Sequence, residues 1–174
     1  MAVLPPDLRV GELGLESLDA IIELVGCCDH TYVEWAPPGW DVPDLELDRA
    51  RWERDWQQPE RWARGVAERS GRLVGMVAWR TERGDDGRPV PGVAHLSALF
   101  VHPERWREGI AAWLVETAED AMRGRGYSLM RLWTPSGAPA RRFYEATGWR
   151  EDGRSGWHEA LQLPIVGYEK PIAR

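Results

Sequence analysis

The chain reads as an α/β (α+β) fold: a central mixed sheet with helices on its faces. Three observations carry that reading. Short apolar runs bounded by turn residues alternate with segments whose apolar residues recur every three or four positions. One run, His95 to Val101, is apolar almost throughout, as expected of a strand covered on both faces. With 174 residues and 43% apolar content, the chain is long enough for one substantial core. The expectation is one domain over residues 1–174, with its structured core from about residue 8 to residue 171.

The elements follow in order. Leu8 to Leu13 is a short first strand. Leu18, Ile21, Ile22 and Val25 recur at helical spacing behind the possible cap Ser17, and that helix fades before Ala36-Pro37-Pro38-Gly39. Asp44 to Gln57 is a second helix. Its apolar members Leu45, Leu47, Trp52 and Trp56 give only a partial stripe, and its many charges argue against a deep core position. Ala63 to Arg69 and Arg72 to Thr81 form a hairpin around Ser70-Gly71, followed by a Gly/Pro/Asp-rich loop from Arg83 to Gly92. His95 to Val101 is the central strand. Ile110, Leu114, Ala118, Ala121 and Met122 make a helical stripe closed by Gly124 and Gly126. Ser128 to Thr134 is a strand, Pro139 to Thr147 a short helix ending at Gly148, and Leu163 to Pro171 the last strand.

Composition narrows the function. Net charge is −6, and no basic run or zinc-finger spacing appears, which argues against nucleic acid as a partner. The longest apolar run, Leu73 to Trp79, is too short to span a bilayer, so no membrane role is expected. The start, Met1-Ala2-Val3-Leu4-Pro5-Pro6, lacks the pattern of a secretory signal, which makes the cytoplasm the default. Cys27 and Cys28 are adjacent and frame no disulfide, and no cluster has metal-ligand spacing. Eleven tryptophans against two phenylalanines imply packing in a core or groove, and any left exposed would favour a homodimer.

Two segments carry chemistry. In the first, the strand ending Leu99-Phe100-Val101 turns at His102-Pro103 into Trp106-Arg107-Glu108-Gly109-Ile110-Ala111, which opens a helix. A helix N-terminus offers unpaired N–H groups and a partial positive charge, and Gly109 lets an anion approach the backbone. Arg107 can pair with a phosphate, whereas Glu108 must point away from one. The second is Phe143-Tyr144-Glu145-Ala146-Thr147-Gly148-Trp149, a short helix carrying a tyrosine.

Together these segments resemble the GNAT-type N-acetyltransferase superfamily. Gly109 and Ala111 match the last two fixed positions of its Gln/Arg-x-x-Gly-x-Gly/Ala loop, and Trp106 stands where Gln or Arg is usual. Residues 143–149 match its aromatic-Tyr-Glu-x-x-Gly-aromatic segment, whereas Gly137 stands where an asparagine often contacts coenzyme A. The resemblance implies a GNAT-like acyl-CoA N-acyltransferase fold, with acetyl-CoA as the acyl-donor substrate. It places the donor along Leu99, Phe100 and Val101, over Trp106, Arg107, Glu108, Gly109, Ile110 and Ala111, and beside Tyr144. It also implies direct transfer to a small-molecule or peptide amine, with Tyr144 protonating the departing thiolate. O-acetylation and a non-catalytic acyl-CoA-binding module are the rival readings.

The base is less defined. An alkylamine has a pKa of about 10.4, so only on the order of one molecule in a thousand is neutral at pH 7. The strand glutamate of many family members is absent, because Ser97 and Ala98 occupy its place. His95 is the nearest titratable substitute; Glu34 and Asp29 lie in the presumed acceptor-side connection, and a water chain would need no single base. Tyr32, Trp35 and Trp40 could wall the acceptor groove, with Trp157 and His158 opposite.

Overall fold

The computed structural model describes residues 2–172. Seven strands form one sheet: β1 (Leu8–Glu12), β2 (Arg61–Glu68), β3 (Leu73–Arg83), β4 (Pro89–Val101), β5 (Leu129–Pro135), β6 (Arg150–His158) and β7 (Leu163–Pro171). Four helices accompany them: α1 (Leu18–Asp29), α2 (Leu45–Trp56), α3 (Ile110–Gly124) and α4 (Ala140–Ala146). The strand order is β1-β2-β3-β4-β5-β7-β6, and every neighbouring pair is antiparallel except β4–β5.

The sheet separates two apolar layers. On one face Ile110, Leu114, Ala118 and Met122 of α3 pack against Val74, Val77, Leu96, Met130 and Leu132. On the other, Ile21, Leu24 and Val25 of α1 and Trp52 of α2 cover Met76, Ala78 and Ala98. Each helix turns its three-to-four-residue stripe inward, as its sequence spacing requires. The first turn of α3 lies close on β3 because residue 75 is glycine; a Cβ there would stand 2.9 Å from Ile110 Cγ2. Helix α2 buries only Asp48 and Trp52, the thin stripe its sequence implied.

Two irregularities of β4 shape the molecule. Ala98 pairs with Ala78 and Leu96 with Trp79, so Ser97 is an extra residue opposite none. That bulge exchanges the faces of the strand: Ala94 and Leu96 join the α3-side core, whereas Ala98 joins the α1/α2-side core. Pairing between β4 and β5 is also brief, covering Val93↔Leu129, Ala94↔Met130 and His95↔Arg131. Beyond it, β5 continues alongside β7 to Pro135↔Ile165. The β4 stretch from Leu96 to Val101 therefore has a free edge on its β5 side, and a wedge opens between the two parallel strands.

Two sequence expectations need correction. The loop expected from Arg83 to Gly92 is mostly paired: β3 runs to Arg83 and β4 starts at Pro89, leaving a tight turn closed by Gly84 N–H to Arg88 O at 2.9 Å. Strand β6 is an addition to the elements expected from sequence, because Arg150 to His158 is an edge strand of polar and glycine residues, Trp157 apart, with no apolar alternation. Among the described residues, no helix is long and apolar enough to cross a membrane.

Candidate active site

The loop from β4 to α3 has the shape its sequence suggested. Gly109 caps α3 at φ +81°, and a Cβ there would have only Val3 O within reach, at 3.9 Å. The first N–H groups of α3, before Trp113 N–H bonds to Gly109 O, have no intrahelical acceptors. A pyrophosphate fits that cradle by charge and by space. Glu108 accepts from Arg105 Nε at 2.9 Å and is thereby drawn to the side. Arg105 is occupied further by Asp7 and Glu68. Arg107 is exposed at φ +65° and forms no ion pair among the described residues, so it stands as the available cation of the loop. Trp106 folds back and donates its indole N–H to Val101 O at 2.7 Å. A cleft of about 300 Å³ between α3 and α4 adjoins this loop's helix, lined by Ala112, Val115, Glu119 and Thr147.

Leu99, Phe100 and Val101 lie on the free-edged part of β4. Leu99 and Val101 pack towards α3, and Phe100 lies on the opposite face, 6.4 Å from the Trp52 ring. Ile110 is buried under the cradle and Ala111 half-buried beside it. The backbone edge, not these side chains, faces the wedge.

Tyr144 sits on α4 at 7% exposure. Its ring is gripped by Phe143 at 5.5 Å and by Trp149 and Tyr168, each at 6.0 Å. Tyr168 is fixed in turn, donating to Glu145 Oε1 at 2.8 Å and accepting from Arg141 Nε at 3.0 Å. Burial alone pushes the Tyr144 phenol well above its ordinary pKa. It therefore keeps its proton throughout the physiological range.

His95 is buried at the last β4–β5 pair, with Nδ1 2.9 Å from Glu82 Oε2. Burial holds the imidazole below its ordinary pKa, against the opposing pull of Glu82. Burial raises Glu82, but the hydrogen bond and charge of His95, the Arg83 N–H and Arg80 together outweigh it and hold the carboxyl below the usual range. The pair is thus a neutral imidazole donating Nδ1–H to a carboxylate, with Nε2 left as an acceptor. Two residues on, the buried Ser97 Oγ has no hydrogen-bond partner. Glu34 is exposed on a 3-10 turn, His30–Glu34.

The same turn builds the other side of the site. Tyr32 lies 4.6 Å from Trp35 and 5.8 Å from Trp40, ring centre to ring centre. Trp35 leans over Gly137 of the β5–α4 loop, where a Cβ would meet the indole at 3.5 Å. Trp40 Nε1 donates to Leu161 O at 2.7 Å and ties this connection to the β6–β7 turn. His158 is held there by Leu161 N–H, whereas Trp157 is half-exposed. Two carboxylates of the neighbouring helices are buried, Asp29 at the end of α1 and Asp48 in α2, each 2% exposed. Asp48 Oδ1 pairs with Arg51 at 2.7 Å. Burial, then the neighbouring Asp48, pushes the Asp29 carboxyl up to about 7.

Sequence reasoning passed over Asp48, Arg51 and Glu82. The first two sat in a helix whose charges read as a solvated face, and Glu82 sat at a strand end next to an expected loop. Only the fold brings them to His158, Asp29 and His95.

Three solved structures illustrate what the chain is similar to. The PaiA N-acetyltransferase of Thermoplasma acidophilum, crystallised with coenzyme A, has a TM-score of 0.67 at 17% identity, over 94% of this chain and 98% of that one. The ribosomal-protein-S18-alanine N-acetyltransferase of Escherichia coli has a TM-score of 0.65 at 17% identity, over 96% and 95%. A spermidine N-acetyltransferase SpeG chimera from Vibrio cholerae and hSSAT has a TM-score of 0.66 at 17% identity, over 95% and 96%. At such identities the likeness is one of fold. No curated protein matches the chain significantly. The model of the acetyltransferase (GNAT) family matches residues 28–149, well over half of the chain. With its wedge between parallel strands and its N–H cradle at α3, this chain belongs to the GNAT acetyltransferase family, whose acyl donor is acetyl-CoA.

Proposed function

We propose that the protein transfers the acetyl group of acetyl-CoA directly to a primary amine. Tyr144 carries the proposal: a buried, proton-bearing phenol on α4, in the position of the family's tyrosine motif. The donor would extend from the α3 cradle along the free edge of β4, pairing with it as an added strand would. The amine nitrogen forms a bond to the thioester carbonyl carbon, and its surplus proton passes towards neutral His95, which Glu82 orients. Negative charge developing on the carbonyl oxygen would meet a backbone N–H of β4 near Leu99. As the C–S bond breaks, its electron pair goes to sulfur, which takes the Tyr144 proton.

Ser97 Oγ lies on the same strand as His95, unpartnered and available to pass the amine proton inward. The two adjacent cysteines play no part in this scheme, and burial pushes the Cys28 thiol up to about 12, away from a nucleophilic thiolate.

The test is Tyr144→Phe. Turnover, read as thiol release from acetyl-CoA, should fall by about a hundredfold. Binding of coenzyme A, read by calorimetry, should stay within about twofold, because only one hydroxyl is lost. A variant as active as the native chain at every pH would remove the acid role.

A further inference from the structure

At the far end of β4 from the cradle lies a second pocket, of about 220 Å³ and open to solvent. It is framed by the starts of β2 and β4, the end of β3 and the turn from α3 into β5. None of the groups assigned to acetyl transfer lines it. Its volume is below the range of about 300–1,000 Å³ typical of sites for drug-sized ligands, which restricts any occupant to a small molecule.

Two charges of opposite sign line this pocket without pairing. Glu60 has the left-handed backbone, φ +57°, that non-glycine residues seldom adopt, and its carbonyl accepts Thr81 N–H at 3.4 Å. Its carboxylate has no ion pair or hydrogen bond among the described residues. Arg125 lays its guanidinium over the Trp62 ring at 4.6 Å and donates one N–H to Ala121 O at 2.9 Å. It too has no ion pair among the described residues, so its other N–H groups remain available. The charged side chains next to the pocket residues in sequence are engaged elsewhere. Arg61 lies with Asp55 against the Trp52 and Trp56 rings, Arg80 donates to Thr81 O, Glu82 holds His95, Arg83 donates to Gly87 O, Arg88 pairs with Asp86 and Arg123 with Asp120.

The rest of the lining completes a polar floor and an apolar wall. Thr81 is 5% exposed, and its hydroxyl lies 2.5 Å from Tyr127 OH. Two hydroxyls sharing one hydrogen bond use one O–H, and the second O–H is left to donate. The wall is Pro89-Val90-Pro91, stiffened by its two prolines. A cation, an anion and an apolar surface in one small pocket match a molecule with the same three parts.

We propose that this pocket binds a free aliphatic α-amino acid, at a site separate from that of acetyl transfer. Arg125 and the free O–H take the carboxylate, Glu60 takes the ammonium group, and the proline wall takes the side chain. A ligand carrying only one of the two charges forgoes one set of charge-assisted hydrogen bonds and binds more weakly.

The experiment titrates the isotope-labelled full chain with L-valine, isobutylamine and isovalerate, followed by amide chemical shifts. The last two probes are valine without its carboxylate and valine without its ammonium group. Gly92, Gly126 and Tyr127 report this pocket, whereas Gly109 and Gly137 report the acetyl-transfer site. L-Valine should shift the first set and bind at least about tenfold more tightly than either half-molecule. Glu60→Gln should abolish its advantage over isovalerate, and Arg125→Gln its advantage over isobutylamine, both with a cooperative melt, because both side chains are exposed. The half-molecule comparison needs only the native chain, so it decides the matter even where a variant fails to fold. No shift in the first set with L-valine at tens of millimolar, shifts confined to Gly109 and Gly137, a half-molecule that binds as tightly as L-valine, or folded variants that keep the selectivity would each overturn the proposal.

Discussion

Asp29 is a buried carboxyl whose ionisation works against folding. Its carboxyl is pushed up to about 7 by burial and by Asp48, with Arg51 and His30 pulling the other way. Below about pH 4 the group is protonated in both folded and unfolded chains and costs nothing. Between about 4 and 7 the unfolded chain ionises first, so stability falls as pH rises, and above 7 the loss is complete. Asp29→Asn should therefore stabilise the protein at pH 8 by an amount on the order of a few kcal/mol at most, and hardly at all at pH 4. Denaturant melts at the two pH values check this; an equal gain at both would mean that the folded chain does not raise the Asp29 carboxyl above its ordinary range. His95 acts with the opposite sign. Its lowered pKa means that the unfolded chain takes up a proton the folded chain refuses, so stability falls as pH drops through about 6.5.

At the scale of elements, the bulge in β4 and the cap of α3 do most to place the site. Removing Ser97 would restore plain alternation and turn Ala98 to Val101 onto the wrong faces. Deletion of Ser97 should abolish coenzyme A binding and leave a molten or insoluble chain, whereas Ser97→Ala should fold at least as stably as the native protein. Circular dichroism melts of the two separate a backbone role from a side-chain role. Gly109 at φ +81° is the other fixed point. Alanine there costs about 1–2 kcal/mol of backbone strain and puts a methyl group at the cradle. Gly109→Ala should weaken coenzyme A binding about tenfold, as measured by calorimetry; unchanged affinity would place the pyrophosphate elsewhere.

Across the whole molecule, the sheet is two parts joined by three β4–β5 pairs and a shared core of Leu96, Met130, Leu132 and Tyr168. The Trp40–Leu161 hydrogen bond and the Trp35–Gly137 contact span the same gap from the acceptor side. A ligand lying between the parts should stiffen the entire fold. Acetyl-CoA at one hundred times its dissociation constant should add about 2.7 kcal/mol of stability. For a chain of this size that is a rise in melting temperature of roughly 5–10 °C. ATP and free pantetheine should give much less, and no rise with millimolar acetyl-CoA would contradict the cradle.

Much of this was legible in the sequence, and for a common reason. The stripes of α1 and α3, the apolar run of β4 and the turn glycines are local patterns, written within a few residues of one another. So was the turn from β4 into α3, because a glycine just before an apolar helical stripe is a local pattern. Strand β6 was hidden because an edge strand with both faces polar leaves no periodic trace. Four matters were decided by the tertiary structure alone. These are the faces exchanged at Ser97, the orientation of His95 by Glu82, the burial of Tyr144 and the approach of Asp48 to Asp29. Each depends on burial, on neighbours distant in the chain or on a break in strand register, and a charge in a helix looks the same in sequence whether water or another carboxylate lies beside it.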